Sequence, residues 1–375
     1  MTDLNYEIGV DHMNPNLKAI FHTLYQGEPL TQDESRCLFT AIARGEVNET
    51  LLSAALVAMK LRGESPAEVA GAAEAFIQEA KAFDTPDYPF ADIVGTGGDG
   101  LNTVNISTAS ALIGASCGVR VAKHGNRSVS SLTGSSDLLQ ALGVNLLKTP
   151  EEARHSLDNE KITFLFAPHY HGGFKHAAKT RSELKTRTIF NLLGPLTNPA
   201  RPKRALMGVY DASLTELLAE TAKLLGYEHV LVVHGGGMDE VALHAPTKVS
   251  ELKSGIVTTY YVSPQDFGLN EHPLEAIRGG DATENRRTLL TLLHGKAPEA
   301  HRHAVAINVA MLLKLFGKDN LIANAQEALS AISEGRALRL LTEITGNTFN
   351  DTDSDTKLVK QNADNSSNPN NTQYA

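Results

Sequence analysis

Apolar residues recur at helical spacing through the amino-terminal part of the chain. In LKAIFHTLYQG they place Leu17, Ile20, Phe21 and Leu24 on one face, and Gly27 ends the run. Thr31 and Glu34 form a capping-box pattern ahead of SRCLFTAIARG, and Asn48 caps ETLLSAALVAMKLRG. Ser65, Pro66 and Glu68 start another helix, expected to run to about Phe83. Its small residues, Ala70 to Ala73 and Ala75, allow close approach, so the segment reads as a packed helical bundle. DTPDYP follows as a hinge, because Pro86 and Pro89 stop helix and stiffen the crossing.

Beyond the hinge the pattern changes to short apolar runs alternating with helical stretches. Strands are expected at Asp92–Val94, Val119–Ala122, Val144–Leu147, Ile162–Phe166, Ala205–Val209, Val230–His234 and Ile256–Val262. Helices fall between them, after Thr149-Pro150 and across LTELLAETAKLLG, and AVAINVAMLLKLFG and NLIANAQEALSAISEG add cover. The pattern predicts an α/β fold: a small helical domain and a larger one with a mostly parallel central sheet covered by helices. The expected division is 1–84 for the helical domain, joined by part of 173–200, then 85–349, and from 350 a mobile tail of Asn, Asp, Ser and Thr. No internal repeat is evident.

A chain of 375 residues has room for such an arrangement. Its net charge of −9 argues against general binding to nucleic acid or an anionic membrane. Cys37 and Cys117 have no metal-like or redox spacing, which suits a reducing cytoplasm. MTDLNYEIGV lacks the pattern of a signal peptide, and no apolar run reaches transmembrane length.

The segment DIVGTGGDGLNTVNIST contains Gly-x-Gly-x-x-Gly at Gly95, Gly97 and Gly100. A dinucleotide site needs an acid at the end of the next strand to hold the ribose. Here VRVA ends in KHGNRSVSS, so cations and hydroxyls stand where that acid would be. This pairing suits a multiply charged phosphate rather than NAD. A Walker sequence is also absent, because no Gly-Lys-Ser/Thr follows the turn. Asn105, Ser107 and Thr108 instead open a helix, where side chains and unpaired N–H groups can hold an anion. In VLVVHGGGMDEV a strand ends in glycines and then Asp239 and Glu240, hard ligands that imply Mg²⁺ beside a phosphate. His169, His171 and His176 lack zinc spacing and suit polar packing or a substrate wall. Arg181, Lys185 and Arg187 are cations that could face a substrate carboxylate.

In order, GTGGD, NIST, KHGNRSVSS and GGMDE, together with LKTRTIFNLLGPLTNP, closely resemble the anthranilate phosphoribosyltransferases of tryptophan biosynthesis. The resemblance runs from about Asn16 to Thr345. It implies a nucleoside phosphorylase-like fold, a homodimer joined through the helical domain, and Mg²⁺. The implied reaction transfers the phosphoribosyl group of phosphoribosyl pyrophosphate to the amine of anthranilate, with release of pyrophosphate. By the same resemblance Gly95, Gly98, Asp99 and Thr103 line phosphoribosyl pyrophosphate. Asn105, Ile106, Ser107, Thr108, Lys123, His124, Gly125, Asn126, Arg127, Ser128, Val129, Ser130, Ser131 and Ser135 hold its phosphates. Ser107, Asp239 and Glu240 serve magnesium, and Gly95, Asn126 and Arg181 touch anthranilate. Leu101, where the family often has a polar residue, is expected to point away from the phosphates.

Anthranilate's amine is neutral at pH 7, so no strong general base is required. Electrostatics and positioning carry the expected chemistry, with no separate catalytic residue. A nucleoside phosphorylase would share the glycine loop and basic segment but has no reason for GGMDE or RTIFNLLGPLTNP. A nucleic-acid-binding homologue would want a basic groove and degraded substrate motifs.

Overall fold

The computed structural model describes residues 14–127 and 134–350. The polar tail and the stretch Ser128 to Ser131 of the basic segment therefore lie outside the described residues. Helices α1 (Pro15–Tyr25), α2 (Gln32–Ala43), α3 (Glu49–Arg62) and α4 (Pro66–Gln78) come first. Their starts follow from local chemistry. Thr31 with Glu34 and Ser65 with Glu68 close capping boxes, and Asn48 accepts from the Leu51 N–H. Helix α4 stops at Gln78, short of Phe83. The chain leaves the helix there, Lys81 N–H donates to Tyr170 O at 2.9 Å, and Phe83 is buried in a cluster with Phe90, Leu157, Leu165 and Tyr170.

The rest alternates. In order come β1 (Ala91–Gly95), α5 (Ile106–Ser116), β2 (Val121–Gly125), α6 (Ser135–Ala141), α7 (Pro150–Asn159) and β3 (Ile162–Phe166). Then follow α8 (Ala167–Tyr170), α9 (Lys175–Leu184), α10 (Phe190–Leu193), β4 (Arg204–Gly208), α11 (Leu214–Leu224) and β5 (His229–Gly235). The last elements are β6 (Thr247–Lys253), β7 (Ile256–Val262), α12 (Ala282–Leu293), α13 (Glu299–Lys314), α14 (Leu321–Ser333) and α15 (Arg336–Thr345).

The strands form one seven-stranded sheet in the order β3-β2-β1-β4-β5-β6-β7, parallel from β3 through β5 and antiparallel at β6 and β7. Both faces are covered, and the side chains alternate between them. In β4 and β5, Leu206, Leu231 and Val233 join the core beneath α5 and α13. Ala205, Met207, Val230 and Val232 join a second core that continues into α2, α3, α4 and α11.

Two strand expectations need correction. Val144–Leu147 is a turn: Val144 is buried, but Leu147 is 65% exposed and its N–H is held by Asn145 Oδ1 at 3.0 Å. Strand β6 is absent from the expected set, because its buried Thr247, Ser250 and Glu251 break the apolar run.

The DTPDYP connector is pinned to the sheet side. Arg154 pairs with Asp84 at 2.8 Å, Thr85 Oγ1 donates to Ala200 O at 3.1 Å, and Tyr88 donates to Asp158. In the other direction, α9 returns to the helical bundle, with Ala177 in the same core as Leu38 and Lys179 paired to Glu49 at 2.6 Å. Among the described residues no helix is long and apolar enough to cross a membrane.

Candidate active site

The chain steps outward from β1 to β2 and β3, then returns to the other side of β1 as β4. The carboxyl ends of β1 and β4, with Gly95 level with Gly208, therefore form the switch point where open α/β sheets bind ligands. The turn after β5 folds back over this point. Gly235 and Met238 exchange backbone hydrogen bonds of 3.0 Å, and Gly237 takes a φ of 97° that other residues rarely adopt. Asp239 is thereby laid against both strand ends. A Cβ at Gly95 would collide with Asp239 Oδ2, and one at Gly208 would collide with the Asp239 backbone. The Gly97 N–H donates to Asp239 Oδ2 at 2.7 Å. Gly95 is thus required for the approach of a carboxylate.

Helix α5 points its start at the same place. Asn105 makes no side-chain cap, and the buried Asn105 Oδ1 and Thr108 Oγ1 have no hydrogen-bond partner among the described residues. Capping therefore does not account for these side chains. The Ser107 backbone lies beside Glu240 and opposes the rise of its pKa. Lys123, only 3% exposed, comes up from β2, and its Nζ donates to Ile93 O at 2.6 Å and lies 3.4 Å from Ser107 Oγ. Burial lowers the Lys123 pKa, while Asp92, Glu240 and Asp239 oppose that shift. Burial and the neighbouring Asp99 push Asp239 up to about 6, and burial with Asp239 pushes Glu240 well up. Asp99 raises Asp239, Asp239 raises Glu240, and the buried Lys123 faces both Asp239 and Glu240. Crowded hard oxygen donors of this kind fit a divalent cation.

The remaining expected residues surround this centre. Gly98 has a φ of 78° and its carbonyl accepts from Arg187, whose guanidinium lies 3.7 Å from the centre of the Tyr210 ring. Asp99 Oδ1 accepts from the Leu101 N–H at 3.2 Å, and Leu101 packs against the core. Thr103 bridges to Arg278. Gly125 leaves room for Ser135, whose hydroxyl donates to Asn126 O at 3.3 Å. Asn126 and Arg127 are exposed, with Arg127 3.9 Å from Asp137. Two side chains turn inward. Ile106 is core, and His124 is buried with Nδ1 3.3 Å from Gly194 O. Burial and His171 bring His124 down to about 3, so its ring is neutral at pH 7.

Arg181 projects from α9 over Phe190, 5.2 Å from its ring centre. Phe190 belongs to an aromatic cluster with Phe39, Phe76 and Phe174 that joins α2, α4 and α10. Burial lowers the Arg181 pKa, and its guanidinium has no carboxylate partner among the described residues. Lys185 ends α9 in the left-handed region at φ 47°, and the chain passes directly to Arg187 at Gly98. Six residues span at most about 20 Å, which bounds the separation of Arg181 from the Arg187 that bonds the glycine loop. His171 Nε2 is 2.7 Å from Thr197 O, a packing role. His272, Glu299 and His303 bring one ligand atom each within 4.8 Å of one another, and none of the three histidines considered from sequence is among them.

Three buried supports are not signalled as functional by the sequence. Asp92 accepts from His124 N–H at 3.1 Å and from Asn198 Nδ2 at 2.7 Å, which fixes the strand carrying Lys123. Asn198 also donates to Ala122 O at 2.8 Å. Asn308 on α13 accepts from Val241 N–H at 3.0 Å and donates to Val241 O at 3.2 Å, clamping the residue after Glu240. A lone Asn inside the apolar run AVAINVAML is the available signal.

Comparison with known proteins shows the family and the fold. The α/β domain model of the glycosyl transferase family matches residues 87–338, and its helical bundle domain model matches 18–80. The anthranilate phosphoribosyltransferase of Erwinia tasmaniensis is 60% identical over 321 residues, covering 86% of this chain and 97% of that protein. That of Yersinia pestis (strain Pestoides F) is 56% identical, covering 88% and 99%. The solved anthranilate phosphoribosyltransferase of Thermus thermophilus superposes with a TM-score of 0.83 at 39% identity, over 87% of this chain and 98% of that one. The Saccharomyces cerevisiae enzyme in complex with PRPP and Mg gives 0.81 at 28% identity, over 89% and 98%.

Proposed function

The chain belongs to the anthranilate phosphoribosyltransferase family, and from that premise we propose which of its residues perform the reaction. It is a pentosyltransferase that moves the phosphoribosyl group of phosphoribosyl pyrophosphate to the amine of anthranilate and releases pyrophosphate. The observation that carries the residue assignment is the seating of the Asp239 carboxylate against Gly95 and the Gly97 N–H, with Glu240 beside it and Ser107. Asp239, Glu240 and Ser107 hold Mg²⁺ in this proposal. The ion, when bound, supplies neutralisation of charge on the pyrophosphate leaving group.

The chain's own groups do the rest. The start of α5, Lys123 and the KHGN segment face the phosphates, where N–H groups and one buried cation meet negative charge without reorganising. Arg181 matches anthranilate's carboxylate with a planar pair of donors, and the aromatic wall beneath it accommodates the ring. Asn126 and Gly95 fix the amine toward C1′. A neutral aromatic amine attacks without prior deprotonation, so alignment takes the place of a base.

We assign residues 1–84 with part of 173–200 to one domain and 85–349 to the other, and expect them to close on substrate. Closure excludes water that would otherwise capture the ribosyl centre. Saturating phosphoribosyl pyrophosphate with magnesium should make the chain more compact in solution scattering, and unchanged scattering would count against closure. A homodimer through the helical domain is consistent with Tyr25 and Leu61, which that region leaves 53% and 81% exposed. Light scattering on the purified chain reads this directly. A cytoplasmic location is consistent with the two free cysteines.

The purified chain should consume anthranilate only with both phosphoribosyl pyrophosphate and magnesium, releasing equimolar pyrophosphate. Thymidine or uridine with phosphate should yield no free base. Cleavage of those nucleosides without use of anthranilate would overturn the assignment.

A further inference from the structure

A cluster of ligating side chains on the outer part of the α/β region is used by none of this chemistry. Glu299 and His303 lie four residues apart on the first turns of α13, so they share a face. His303 is 8% exposed. His272 reaches it from the segment between β7 and α12, where its own N–H is fixed to Leu243 O at 3.1 Å. His272 Nε2 is 3.0 Å from His303 Nδ1, and Glu299 Oε1 is 3.5 Å from His303 Nε2. One ligand atom from each of the three residues fits within a mutual separation of 4.8 Å.

We propose that His272, Glu299 and His303 form a site for a divalent transition ion of the zinc class, separate from the magnesium site. Two ligands each about 2.0–2.1 Å from a tetrahedral zinc stand roughly 3.4 Å apart. The two imidazole nitrogens therefore need to open only slightly. The Glu299 side chain, 53% exposed, is free to swing inward. Imidazole nitrogens select zinc, cobalt or nickel over magnesium, whereas the all-oxygen cluster at Asp239 does the reverse. Three protein ligands leave one position for water.

The placement gives such an ion leverage. The His272 segment continues to Ile277 and Gly279, which bond Val104 N–H at 3.0 Å and Asn102 O at 2.8 Å, behind the phosphate loop. Helix α13 carries Asn308, the clamp on Val241. An ion bridging His272 and His303 ties together the two elements that brace the phosphate loop and the Asp239–Glu240 turn.

The test titrates the metal-stripped full chain with Co²⁺ in excess Mg²⁺, read by visible absorption and followed by Zn²⁺ displacement. One equivalent should bind, with affinity falling about tenfold or more in His272→Ala and His303→Ala. Glu299→Gln, at a side chain 53% exposed, should weaken binding less. Asp239→Ala should bind Co²⁺ as the unaltered chain does. Zn²⁺ should raise the melting temperature of the unaltered chain but not of His272→Ala. Absence of one-to-one binding, equal binding in both alanine variants, or loss of binding in Asp239→Ala would each overturn the site.

Discussion

Glu251 on β6 and the Asp239–Glu240 pair before it are acidic groups set against a lysine in the same half of the sheet, yet their surroundings differ in kind. Glu251 is saturated: His229 Nε2 lies 2.8 Å away, Tyr260 donates at 2.7 Å, and Lys314 is in contact. Burial alone would raise its pKa, but these three partners outweigh it and bring Glu251 down to about 2. Asp239 and Glu240 are pushed the other way: burial and Asp99 outweigh the Gly97 N–H at Asp239, and burial and Asp239 outweigh Lys123 at Glu240. A carboxylate held for stability is surrounded by donors. A carboxylate held for a ligand is left short of them.

The largest expected effect breaks the unsaturated side. Asp239→Ala and Glu240→Ala should fold and lose about a hundredfold or more in magnesium-dependent turnover, as removal of a key electrostatic group does. Steady-state rates across a magnesium series check this, and normal rates in both variants would sink the assignment. Arg181→Ala should raise the KM for anthranilate by about tenfold to a hundredfold, the loss of a charge-assisted pair worth about 1.5–3 kcal/mol. The KM for phosphoribosyl pyrophosphate should barely move. Equal weakening of both substrates would give Arg181 a structural role instead.

Glu251→Gln should do the opposite of the Asp239 variants, costing about 1–3 kcal/mol of stability while turnover of the folded protein survives. Its folded pKa lies below the usual carboxylate value of 4.5, so its contribution is present above that pH and is lost as pH falls toward about 2. Melting curves between pH 5 and pH 2 should therefore show a shallower acid loss in the variant. A smaller effect runs in reverse: Asp239→Asn, which relieves crowding, should raise the melting temperature in magnesium-free buffer. A lower melting temperature would mean that Asp239 is a structural carboxylate like Glu251.

The contrast also separates what was legible in the sequence. GTGGD, NIST and GGMDE are readable because a close backbone approach demands glycine and a phosphate site demands hydroxyls. Most of the parallel strands are readable because both their faces are apolar. Strand β6 is not, since Thr247, Ser250 and Glu251 are buried through hydrogen bonds to other elements, which no local pattern announces. Val144–Leu147 misleads for the converse reason: Val144 is packed as core and Leu146 partly so, but Leu147 faces water. Asn308 and Asp92 act on residues far away in the chain, so their roles emerge only with the fold.

The most direct measurement is calorimetric binding of phosphoribosyl pyrophosphate with and without magnesium, for the unaltered chain, Asp239→Ala, Glu240→Ala and Glu251→Gln. Magnesium should tighten binding in the unaltered chain and in Glu251→Gln, and should have little effect in the other two. If Asp239→Ala and Glu240→Ala gain as much from magnesium as the unaltered chain, the crowded carboxylates do not hold the ion, and the assignment of the site is wrong.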